Sequence, residues 1–192
     1  VVVCRDGGDL SPTVSHRKID QLVADQHIDR HGDGRAVAGG PVQDQAVAFA
    51  LNYHRALSEF EAVENVRLRA RVGIHVGEVL LWDNSREDIA RGAKPVDVEG
   101  LAKPLAARLM GLAGPGQTLM SGLAYALAER SQAELGARGG GVRWKLHGAY
   151  RLKGIVDPVE VWEVGEAGVA PLRAPPSSDK ARRLVPWWRR GA

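Results

Sequence analysis

Residues 66–82 read Val66-Arg67-Leu68-Arg69-Ala70-Arg71-Val72-Gly73-Ile74-His75-Val76-Gly77-Glu78-Val79-Leu80-Leu81-Trp82. From Val66 to Val72 apolar residues alternate with polar or small ones. A period of two sends successive side chains to opposite faces, so the stretch predicts a half-buried strand with its arginines on the wet side. Glu78 to Trp82 predicts a second strand, and the glycines at 73 and 77 suit a hairpin between the two. His75 falls in that turn. No other histidine stands at metal-ligand spacing from it, so it reads as a packed or turn-capping residue.

The flanking sequence supplies helices and further strands. Upstream, Phe49, Tyr53, Leu57 and Phe60, with Ala46, Ala50 and Ala56 beside them, recur at helical spacing from Gln45 to about Glu61. Downstream, a polar loop covers 83–95. A helix over 99–113 carries Leu101, Leu105, Leu109 and Leu112 on one face and stops at Gly114-Pro115-Gly116. Residues 117–121 predict a strand, 122–135 a helix and 139–141 a glycine loop. Arg143 to Lys153 and Val159 to Val164 predict two closing strands joined around Gly154 and Pro158. Trp82, Trp144 and Trp162 fall on these strands and read as packing residues. Residues 1–44 are poor in apolar side chains. Val1 to Cys4 predicts a strand entering Asp6, and 17–28 a short helix. The whole predicts an α/β (α+β) domain, helices packed on a mostly antiparallel sheet.

Length and composition narrow the class. The chain has 192 residues, enough for one domain and a tail, with 44% hydrophobic and 26% charged residues, as in soluble globular proteins. No apolar run approaches the ~18 residues of a membrane span, and Val1 to Asp6 lacks the pattern of a secretory signal. The lone cysteine, Cys4, excludes an internal disulfide and fits a reducing compartment. The formal charge of +3 is local: Lys180, Arg182, Arg183, Arg189 and Arg190 lie close together, whereas the remainder is nearly balanced. A nucleic-acid partner is therefore not expected. After Gly165 the composition shifts to Pro, Ser, Arg and Trp. This divides a domain over 1–165 from a tail or juxtamembrane linker over 166–192. Within it, Pro186-Trp187-Trp188-Arg189-Arg190 pairs interfacial aromatics with cations, the pattern found just cytoplasmic of a membrane span. The expectation is a cytoplasmic domain, held at the inner membrane face if the parent chain continues into an apolar helix.

Three stretches together resemble the second half of a class III nucleotidyl cyclase catalytic domain, the adenylate/guanylate cyclase family. They are Arg69 to Val79; Val96-Asp97-Val98-Glu99-Gly100 through Leu105-Ala106-Ala107-Arg108-Leu109 to Gly114-Pro115-Gly116-Gln117; and His147-Gly148-Ala149-Tyr150-Arg151-Leu152-Lys153-Gly154 through Pro158-Val159-Glu160-Val161-Trp162. Their order and spacing match the family, and residues 45–65 fit the preceding helix. The resemblance implies a ferredoxin-like cyclase fold and a homodimer with sites shared across its interface. The reaction it implies is attack of a nucleotide 3′-hydroxyl on its own α-phosphate, with loss of pyrophosphate. Two cations, Mg²⁺ or Mn²⁺, would be held by two aspartates.

Carried over by position, Arg108 matches the transition-state arginine and Lys153 the phosphate-binding lysine. Asp97 matches the purine-reading position, where an aspartate suits adenine and so favours ATP over GTP. Asp6 and Asp33 match the metal ligands, with Asp29 a rival for the second. Two departures stand out. Pro104 occupies the place of the family's ribose-positioning asparagine and has no side-chain amide to donate. Only 27 positions separate Asp6 from Asp33, where the family has a longer stretch. Two functions follow from the resemblance: a cyclase making cyclic AMP and pyrophosphate in signalling, or a catalytically inactive cyclase-homology domain acting as a dimerisation or regulatory module.

Overall fold

The computed structural model describes residues 2–7, 28–30, 36–38, 43–64, 68–131 and 141–184. In chain order the elements are β1 (Val2–Gly7), β2 (Ile28–Arg30), β3 (Ala36–Ala38), α1 (Gln43–Glu64), β4 (Arg69–Ile74), β5 (Leu80–Asp83), α2 (Arg86–Ala90), β6 (Val96–Glu99), α3 (Ala102–Leu112), β7 (Thr118–Ser121), α4 (Gly122–Ala128), β8 (Val142–Leu152), β9 (Val159–Glu166) and β10 (Ala181–Arg183). A 3-10 turn, Glu129–Ser131, extends α4. Eight strands form one sheet in the order β10-β8-β9-β7-β4-β1-β3-β2. Only the β4–β7 pair is parallel; the other neighbours are antiparallel. The expected α+β architecture is thus observed.

The alternation over residues 66–72 runs into β4. Ala70 and Val72 are buried on one face and Arg71 is exposed on the other. The first face packs under α1 and α4, where Phe49, Tyr53 and Leu57 meet Val72, Ile74, Met120 and Val164. The opposite face packs under α3, where Leu109 and Leu112 meet Leu119, Tyr150, Leu152 and Val161. At Gly73 the α3 backbone rests on the sheet. A Cβ there would lie 2.2 Å from the Ala106 carbonyl oxygen and 2.4 Å from the Met110 nitrogen.

Several expectations need correction. The hairpin predicted between 66–72 and 78–82 does not form. β4 already has β1 on one edge and β7 on the other, so it has no edge to offer. Instead β5 pairs with β6 in a separate two-stranded arm, Leu80↔Glu99 to Asp83↔Val96. The loop over 83–95 contains α2, whose Ser85 side chain caps the Asp88 amide at 3.1 Å. Of the helix predicted over 122–135, Gly122–Ala128 is α-helical and Glu129–Ser131 is 3-10, and residues 132–135 lie outside the described set. Most of the helix predicted over 17–28 also lies outside it, and Ile28 belongs to β2. Trp82 is 56% exposed and so is no packing residue. Trp162 stacks on Tyr125, ring centroids 3.6 Å apart, and Trp144 meets Tyr125 edge-on at 5.6 Å. The composition shift after Gly165 falls inside β9, and the chain beyond returns to add β10 to β8.

Among the described residues, Trp144 Nε1 is buried without a hydrogen-bond partner, whereas other polar side chains of this core are paired. His54 Nε2 lies 3.0 Å from Thr118 Oγ1, joining α1 to β7. Burial, aided by the nearby positive charge of Arg69, lowers the His54 pKa from 6.5 to about 4. The unfolded chain would take up this proton near pH 6.5 and the folded chain only near 4. The neutral form's contribution is therefore complete above 6.5 and is lost as pH falls towards 4. We expect unfolding free energy to drop by about 3 kcal/mol across that window, with His54→Gln flattening the loss in denaturant titrations at successive pH values. Gly73→Ala is expected to cost at least about 3 kcal/mol, because the added methyl meets backbone rather than a yielding side chain; thermal melts of the variant check this.

Candidate functional site

Arg108 and Lys153, 45 residues apart in sequence, are brought together. Arg108 sits on α3, and its Nε–H donates to the Lys153 carbonyl at 3.0 Å. Lys153 follows β8 directly, at the turn towards β9, and is exposed. Gly154 completes the turn at φ 84°, a conformation that suits glycine. Pro104 is the third residue of α3 and is exposed. The first turn of a helix has no intrahelical acceptors for its N–H groups, so the missing amide costs the helix little. It still leaves no side-chain amide at this position.

Asp97 lies on β6, opposite Trp82 of β5. Its Oδ2 accepts from Asn84 Nδ2 at 2.9 Å, and the same nitrogen donates to the Lys94 carbonyl at 2.9 Å. Asn84 thus orients the exposed Asp97 carboxylate. Sequence reading missed it, because an asparagine in a polar loop carries no signal until the arm's register is known. The arm is anchored at Gly100, φ 131°, where a Cβ would meet the Glu78 carbonyl oxygen at 2.8 Å.

Asp6 stands on β1, opposite Ala70 of β4. Asp33 lies outside the described residues. Pairing between β1 and β3 ends at Cys4↔Ala36, and pairing between β2 and β3 at Arg30↔Ala36. Asp6 is two residues past Cys4, beyond the last β1–β3 pair. Among the described residues no three His, Cys, Asp or Glu side chains cluster as a metal site. The donor chemistry fits nonetheless: two carboxylates, Asp6 and Asp33, suit a hard divalent cation. Asp29, the rival, belongs to β2 and pairs with Val37.

Arg71 is a second residue that sequence reading passed over. It was one of several arginines on a wet strand face. In the fold it is the cross-strand partner of Arg5, next to the Asp6↔Ala70 pair. It lines a cleft of about 360 Å³ with Gly114, Gln117, Arg173 and Pro175. The signal was strand register, which sequence alone does not display. His75, by contrast, fits its reading as a packed residue: Nδ1 lies 2.8 Å from Ser121 Oγ, and burial lowers its pKa.

These residues fall into two groups within one chain. Between β8 and β1 stand β9, β7 and β4, so four strand spacings of about 4.8 Å put roughly 19 Å between them. The strand directions also place the Lys153 end of β8 and the Asp6 end of β1 at opposite ends of the sheet. Asp6 and Arg71 lie at one end, and Lys153 with its partner Arg108 at the other. The two groups of one chain therefore do not form one compact cluster.

No protein-family model and no curated protein matches the chain. Solved structures do match over nearly their full length. An adenylate cyclase from Trypanosoma brucei, solved in its monomeric state, aligns with a TM-score of 0.67 at 20% identity, covering 95% of this chain and 93% of that one. The adenylyl cyclase CyaB from P. aeruginosa aligns at 0.64 and 14%, covering 86% and 92%. The guanylate cyclase domain of RhGC from Catenaria anguillulae, in complex with GTP, aligns at 0.59 and 16%, covering 86% and 94%. The chain therefore has the fold of a class III nucleotidyl cyclase catalytic domain.

Proposed function

We propose that this chain is a nucleotidyl cyclase domain that converts ATP to cyclic AMP and pyrophosphate, working as a homodimer in the cytoplasm. The observation that carries the reading is the division of its site residues between opposite ends of one sheet. A two-fold partner supplies the missing half to each site, so that Asp6, Asp33 and Arg71 of one copy face Asp97, Arg108 and Lys153 of the other. The Catenaria domain of the same fold, in complex with GTP, supports a nucleoside triphosphate as ligand.

Each residue then has a physical task. Asp6 and Asp33 would hold Mg²⁺ or Mn²⁺, which neutralises phosphate charge and acidifies the attacking hydroxyl when bound. Arg108 offers a planar, permanently charged guanidinium to the α-phosphoryl oxygens as they gain charge. Lys153 and Arg71 contribute positive charge to the triphosphate. Asp97, oriented by Asn84, accepts a hydrogen bond from the exocyclic amine of adenine, which guanine lacks at that place. Pro104 leaves the ribose without an amide contact from α3, which favours a slow enzyme. Among the described residues no helix is long and apolar enough to cross a membrane; attachment at the inner membrane face would come from the chain beyond them.

Purified protein given ATP or GTP with Mn²⁺ is expected to make cyclic AMP in preference to cyclic GMP, and Arg108→Ala to lower kcat by roughly 10²–10³. Folded protein that makes neither product would instead be the catalytically inactive dimerisation or regulatory module. Asp6→Ala and Arg108→Ala are each expected to keep at most about 1% of wild-type turnover alone. Mixed in equal amounts and allowed to exchange, they should recover about a quarter of wild-type turnover, since half the dimers carry one intact site. Absence of recovery in mixtures shown to exchange would place both halves of the site within one chain.

A further inference from the structure

Residues 167–184 leave β9 and return along the α3 side of the sheet to the far edge of β8. The return path is fixed at two places. Near its start, Glu163, fully buried, accepts the Leu172 amide on Oε1 at 2.8 Å. Its Oε2 receives Gln117 Nε2 at 2.9 Å and lies 2.7 Å from His147 Nε2. Gln117 Nε2 also donates to the Arg173 carbonyl at 2.7 Å, Lys145 Nζ to the Leu172 carbonyl, and the Tyr150 hydroxyl to the Pro175 carbonyl at 3.1 Å. Leu172 is held at φ 47°, a left-handed backbone for a branched side chain. These bonds hold it there.

The second fixed place is the β8–β10 ladder. The Lys153 amide donates to the Lys180 carbonyl at 2.8 Å, and the Leu184 amide to the Ala149 carbonyl at 2.8 Å. Hydrogen-bonded pairs alternate in an antiparallel ladder, so Arg182 and Arg151, paired in register, form the bonded pair between them. The two peptide units that flank the Lys153 Cα are therefore both held. Its N–H is held by β10, and its carbonyl receives Arg108 Nε–H.

We infer that β10 is a positioning element of the nucleotide site: its ladder to β8 fixes the Lys153–Gly154 turn and, through the Lys153 carbonyl, the direction of the Arg108 guanidinium. The inference rests on the reading of Arg108 and Lys153 as phosphate contacts. None of the β10 side chains need touch the nucleotide. The effect passes through backbone hydrogen bonds and does not depend on the charge of Arg182 or Arg183.

Three substitutions at one position test it in the full chain. Arg182→Ala removes the charge and keeps the ladder N–H. Arg182→Gly keeps the N–H and loosens the strand. Arg182→Pro deletes the N–H. Two quantities are read: hydrogen exchange of the Lys153 amide by NMR, and the Kd of a non-cyclisable ATP analogue with Mn²⁺ by calorimetry. Exchange should quicken in the order Ala, Gly, Pro. The Kd should rise in the same order, by about tenfold for Pro, with Ala close to wild type. Quickened Lys153 exchange with an unchanged Kd overturns the inference and leaves β10 a structural edge. A Kd that follows the charge, worst already in Ala, overturns it too. Should the proline variant unfold, the glycine variant carries the same comparison. A wild-type chain that does not bind the analogue sinks the nucleotide reading itself.

Discussion

The approach of α3 to β4 at Gly73 is the constraint on which the arrangement depends. With a 2.2 Å clearance between a notional Cβ and the Ala106 carbonyl oxygen, only a glycine lets the helix backbone touch the sheet. That contact sets the height of α3, and with it where Arg108, two residues past Ala106, emerges. A helix held farther out by a side chain would carry Arg108 away from the Lys153 turn. Leu109 and Leu112, buried on the underside of α3, then lock the rotation. One residue without a side chain thus places a long charged one.

Sheet order does the rest of the placing. Inserting β7 parallel to β4, between β4 and the β8–β9 hairpin, sends the two groups of site residues apart. The buried Glu163 lies on β9, His147 beside it on β8, and Gln117 just before β7. Buried ion pairs add little net stability once their desolvation is counted. Their effect here is specificity of path: a carboxylate with both oxygens engaged accepts one route for the returning chain and leaves others with an uncompensated charge.

Much of this was legible in the sequence, and the failures have definite causes. Helix α1 and strand β4 follow from periodicity, and β7, β8 and β9 from the runs between turn residues. Arg108 and Lys153 could be proposed by position, yet nothing in sequence showed the Arg108–Lys153 hydrogen bond. The β4–β5 hairpin was misread because sequence displays a strand but not whether its edges are taken. Trp82 was misread because an aromatic on a strand resembles core whether or not the strand joins the main sheet. The segment after Gly165 is rich in proline and arginine, the composition of a linker. Its order comes from partners such as Glu163 and Ala149, which act across the fold and leave no local trace. Arg71 was hidden for the same reason as β10: its importance is a matter of register.

The two outermost strands of the sheet, β2 and β10, are each three residues long. Asp29 and Arg30 belong to one, Arg182 and Arg183 to the other. A sheet of eight strands ordinarily ends in two rows of unpaired backbone groups, a template on which other chains can extend it. Here each template is only three residues long, and Arg182 and Arg183 give β10 a charge that repels a like strand. Short outermost strands of this kind work against edge-to-edge polymerisation when the local concentration is high.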